Sequence, residues 1–262
     1  MEYSISFIIL LFFLGAIGSI LSGMVGIGGS IIKYPMLLYI PPLLGFAAFT
    51  AQEVSAISAI QVFFATFAAM FVFKKGGYIS FPLVLYMGTS IVIGSFIGGY
   101  GSKFLSDDII NFVYAILALL AAILMLFPKP ASNCDIPASE LKFNRFYAIF
   151  FAFIIGVASG IVGAAGAFII VPVMLVILKI PTRIAIGSSL AITFISSIGA
   201  TIGKMFGGHM LLVPSMVMVV ASLIAAPLGA QLSKKMNTKI LEMVLLVLIA
   251  GTVVKIWYEI FQ

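Results

Sequence analysis

Of the 262 residues in this chain, 63% are hydrophobic and only 8% are charged, and the mean hydropathy is +1.29. A soluble domain carries about a quarter of its residues as charge, so this composition excludes one and describes a multispan membrane protein with no room for a separate soluble catalytic domain. The formal charge of +6 is scattered over short loops and forms no nucleic-acid-binding patch, while the single cysteine, Cys134, rules out an intrachain disulfide, a CxxC pair or a thiolate metal cluster.

Taken in chain order, an uncharged run covers Tyr3 to Ile32, too long for a cleaved leader and without a basic start. Ile31 to Leu44 follows and ends at a Pro41-Pro42 turn; then come Val54 to Phe73, Ile79 to Tyr100 and Ile109 to Phe127. After a polar connection the second half reads Phe146 to Val162, Phe168 to Leu178, Ile184 to Met205, Leu211 to Gln231 and Ile240 to Tyr258. All are predicted helices, because a helix satisfies its own backbone inside hydrocarbon. The only histidine, His209, falls at a span end and reads as an interfacial residue.

The two halves repeat. Gly23, Gly26 and Gly29 recur as Gly160, Gly163 and Gly166, and Pro35 recurs as Pro172 at the same offset. Gly76-Gly77 lies opposite Gly207-Gly208, and Gly98 and Lys103 lie opposite Gly229 and Lys234, at an offset six residues shorter. One length difference near Pro41-Pro42 reconciles the two. The predicted units are residues 1–127 and 145–262, joined by a connection at 128–144.

Five segments per unit is an odd number, which places the units upside down to one another. Charge supports that choice: with the connection in the cytoplasm, ten basic residues face inside and Lys103, Lys204 and Lys255 face outside. Both termini are then extracytoplasmic. From Phe146 to Leu178 there are 33 uncharged residues, which leaves two helices of roughly 14 residues, or about 21 Å each, around a short turn. That is less than a bilayer core of about 30 Å. The predicted architecture is therefore all-α and polytopic, with two inverted repeats of five helical segments, the first two of each forming a short glycine-tipped hairpin.

A helix that starts at such a turn presents unpaired amides and the positive end of its dipole, which suits an anion. Small-residue spacings also serve plain helix packing; their repetition in register with the prolines is what points to a site. The candidate anion-binding residues are Gly26, Gly28, Gly29, Ser30, Lys33, Ser58 and Gln61 in the first unit and Gly163, Gly166, Ala167, Ser189 and Thr193 in the second, with Gly23, Gly160, Pro35 and Pro172 as structural residues. Lys33 is the only charge between Tyr3 and Gln52; at the midplane it would attract an anion, and near a surface it would snorkel. Ser55 and Ser188 add hydroxyls to the same spans.

The paired Gly-x-Val-Gly-x-x-Gly…Pro motifs resemble those of the sulfite exporter TauE/SafE family, the four-toluene-sulfonate-uptake permeases. The second copy departs from the first, with Ala164-Ala165 in place of Ile27-Gly28. The resemblance implies a plasma-membrane carrier for small sulfur-containing or organic anions such as sulfite, sulfonates or sulfoacetate. An anion-selective channel is the alternative. No cofactor, metal or catalytic centre is expected, since Asp107, Asp108, Asp135 and Glu140 read as loop residues, Glu242 falls near a span end and Glu53 at the outer end of a span. Proton or sodium coupling stays open, as does the oligomeric state.

Overall fold

The computed structural model describes residues 4–25, 30–74, 77–127, 143–164, 166–208 and 210–237, with single positions in 138–141 and part of 239–251. Its helices are α1 (Ile5–Val25), α2 (Ser30–Leu43), α3 (Ala51–Lys74), α4 (Phe81–Gly101, extended by a 3-10 turn at Ser102–Phe104), α5 (Asp107–Leu126), α6 (Arg145–Val162), α7 (Ala167–Val176), α8 (Thr182–Met205) and α9 (Leu212–Lys235). Among the described residues there is no strand. Seven of these helices, all but α2 and α7, are long and apolar enough to cross a membrane.

Local chemistry sets the helix ends. Thr50 and Glu53 form a reciprocal cap at the start of α3, with Thr50 N donating to Glu53 Oε2 at 2.9 Å and Glu53 N to Thr50 Oγ1 at 3.2 Å. Asn144 caps α6 by accepting from the Phe146 and Tyr147 amides. Ser106 caps α5, whose first turn contains Asp107 and Asp108; these are helical residues at the positive dipole end, not loop residues.

The 33-residue stretch divides unequally, against the sequence expectation of two equal short helices. α6 has 18 residues and α7 only 10, or about 27 and 15 Å, and in the first unit α1 has 21. No polar residue marks the division. Gly163 does, in the left-handed conformation at φ 75°, where its amide bonds Gly160 O and the Ala164 amide bonds Ser159 O. This is the double closure by which glycine ends a helix.

The packing couples the halves. α1 lies on α9, α6 on α4, α3 on α9 and α8 on α4, while α3 and α8 face each other, with Phe63 and Phe67 on Phe194 at ring separations of 5.0 and 5.4 Å. The close approaches recur with the units exchanged. Gly98 sits on the Val157 carbonyl and Gly229 on the Ile20 carbonyl; Gly23 sits on the Ala226 carbonyl and Gly160 on that of Ser95. A methyl group at any of the four would overlap backbone, so small residues set these helix spacings. α2 is held against α5 by Tyr34, which donates to Asn111 Oδ1 at 2.8 Å and stacks on Tyr114.

Candidate functional site

Lys33 lies one turn into α2 and is 1% exposed. Its stem runs along Gly18 of α1, where an added Cβ would stand 2.9 Å from Cε and 3.0 Å from Cδ. Gly18 thus gives the lysine its bed. A cation at such depth is costly and is ordinarily tied to function.

Gln61, in the middle of α3, is fully buried on the same face of α1. Its Nε2 is 3.5 Å from Gly15 O and 3.4 Å from Ser19 Oγ, and Gly15 precedes Gly18 by three residues, one turn. Gln61 Oε1, Ser58 Oγ and Thr193 Oγ1 have no hydrogen-bond partner among the described residues, although all three side chains are buried. Native structures leave few buried polar atoms in that state, and each asks for an explanation. Ser58 precedes Gln61 by three residues on one helix face. Ser189, the repeat mate of Ser58, instead turns its hydroxyl back to Ile186 O at 2.8 Å.

In the second glycine turn Gly163, Ala164 and Gly166 are buried. Gly163 abuts the Ser55 carbonyl, and Gly166, at φ 72°, comes back to lie between Ile155 and Ile91. Ile91 is the central residue of α4, so α7 starts near mid-bundle. Ser30 and Ala167 open α2 and α7. Pro35 and Pro172 lie inside those helices rather than at their ends. Gly26, Gly28, Gly29, Cys134 and His209 lie outside the described residues.

Lys204, which charge counting places on the outer side at the end of the span Ile184 to Met205, is buried near the end of α8. It donates to Ser102 Oγ and Ile161 O, both at 2.7 Å, and Ser55 Oγ donates to the same Ile161 carbonyl at 3.1 Å. The sequence held one signal for it: the repeat mate of Lys204 is Phe73, a core position. Glu53 is occupied by the α3 cap.

A helical bundle with seven candidate spans and polar side chains buried inside it describes a multi-pass membrane protein. The family model "Sulfite exporter TauE/SafE" matches residues 11–256, and the chain belongs to that family. It is similar to the probable membrane transporter protein YunE of Bacillus subtilis, 23% identical across 97% of this chain and 98% of the relative. It is also similar to the probable membrane transporter protein MJ0441 of Methanocaldococcus jannaschii, 26% identical across 90% of each. No solved structure matches.

Proposed function

We propose that this protein is a secondary transporter that moves a small sulfur-containing or organic anion, such as sulfite, a sulfonate or a sulfoacetate-like compound, across the plasma membrane. The observation that carries this reading is the company of Lys33: a buried cation shares one face of α1 with Gln61, while Ser58, Gln61 and Thr193 keep unpaired oxygens on the facing spans α3 and α8. In this reading the anion is held beside Lys33 by the N-terminal ends of α2 and α7 near the midplane, and the glycines assigned to it from the sequence are Gly26, Gly28 and Gly29 before α2 and Gly166 before α7. Exchange of the glycine contacts between the units supports an inverted pair, residues 1–127 against 145–262, that rock around this point. Because Lys33 is closed off from solvent, access requires one unit to move against the other, and a proton or sodium gradient is the available drive.

Two measurements test this. Purified protein in liposomes is expected to show saturable uptake and counterflow of labelled sulfite or sulfonate under imposed gradients; conductance without counterflow would instead make it an anion-selective channel. For orientation, a membrane-impermeant maleimide is expected to reach Cys134 in the cytoplasmic connection only after cells are permeabilised. Labelling of intact cells would reverse the assignment of both termini to the extracytoplasmic side.

A further inference from the structure

We propose that Gln61 makes this site selective for a monoanion that still carries an acidic hydrogen, such as hydrogen sulfite, over a sulfonate of similar size. The proposal rests on the transport reading above and adds the chemical form of the substrate. Gln61 is fully buried at the middle of α3. Its Nε2 is on the α1 side, toward Gly15 O and Ser19 Oγ. A backbone carbonyl only accepts, so Gly15 O, 3.5 Å away, favours the sense of the amide that turns an N–H toward it.

Oε1 is left without a donor among the described residues, and an amide oxygen has no proton of its own to give. What completes Gln61 is a hydrogen-bond donor. Lys33 of α2 supplies the opposite need, a positive charge bedded on Gly18, one turn of α1 away from Gly15. Ammonium and amide oxygen together fit a small oxyanion with one proton left: its negative oxygens go to Lys33 and its acidic hydrogen to Gln61 Oε1. A dianion has no hydrogen to offer. Methanesulfonate has no acidic hydrogen on any of its three oxygens, and it would leave Oε1 buried and unpaired.

The test uses the full chain in liposomes, at a pH where hydrogen sulfite predominates, with methanesulfonate competing against labelled sulfite in counterflow. The parent is expected to bind hydrogen sulfite at least about tenfold more tightly than methanesulfonate, because a site built around a hydrogen bond rejects the analogue that cannot make it. Gln61→Leu should bring the two within about threefold, by weakening hydrogen sulfite alone. The parent ratio decides even where the variant folds poorly. A parent ratio near one, or a Gln61→Leu protein that loses both anions equally, overturns the proposal while leaving transport intact. A parent that carries neither anion overturns the transport reading and this proposal with it.

Discussion

Among the described residues each half of the molecule buries one lysine, and the two differ in their surroundings. Lys204 gives two N–H groups to Ser102 Oγ and Ile161 O, in a network where Ser102 Oγ in turn donates to Gly99 O and Ser55 Oγ to Ile161 O. Its neighbours are satisfied, and together they tie the last turn of α6 to α3, α4 and α8. Lys33 lies along Gly18 of α1, and one turn along that helix Gln61 has an oxygen without a donor among the described residues. The repeat does not relate the two, since Lys33 has Ile170 as its mate and Lys204 has Phe73, both buried apolar residues. Burial of charge therefore does not by itself mark a site; the completeness of the polar groups around it does.

Lys33→Met breaks this contrast most sharply. It keeps the stem over Gly18 and removes the charge, and sulfite binding to monodisperse protein is expected to fall at least about a hundredfold. Stability should hold or rise, because an ammonium leaves the interior. Parent-like binding would reduce Lys33 to packing.

A smaller effect is expected at Gly166. Alanine there meets Ile155 and Ile91 at 2.8 and 3.0 Å and requires a left-handed backbone, which displaces the start of α7, so anion affinity should drop about tenfold, the loss of one charge-assisted bond. Gly98→Ala, set against the Val157 carbonyl, should lower the melting temperature instead. Equal affinity for parent and a folded Gly166→Ala protein would remove α7 from the site.

Lys204→Met should move binding least, within about threefold, while costing about 1–3 kcal/mol in unfolding free energy as the Ile161 carbonyl keeps only Ser55. Chemical denaturation and binding measured on one preparation separate the two quantities. Loss of affinity at unchanged stability would place Lys204 in the site and erase the distinction drawn here.

The bundle was legible from sequence because long uncharged runs and in-register glycines leave few alternatives. The limits of the first nine segments agree with the helices to within a few residues, apart from α1, where the uncharged run continues to Ile32 but the helix ends at Val25; the tenth, Ile240 to Tyr258, lies largely outside the described residues. The unequal division of α6 and α7 was not legible, because every residue from Phe146 to Leu178 is uncharged and the stop depends on the backbone conformation of Gly163. The burial of Lys204 was not legible for a related reason: a lysine near a span end reads as a surface charge unless the carbonyl that receives it is known. Of the site residues, Lys33 and Gln61 could be named as types, but their common bed on Gly15 and Gly18 depends on how α1 packs against α2 and α3, which spacing within a single segment cannot express.

The exchanged glycine contacts also bear on how the chain is made. α1 leaves the ribosome long before its main neighbour, α9, which begins at Leu212; α4 likewise waits for α6. Neither half can therefore reach its final packing alone, and during synthesis α1 stands in the lipid without its partner while most of the chain is still to come. Co-expressed halves split between residues 127 and 145 should reassemble, whereas either half made alone should be left to quality-control proteolysis.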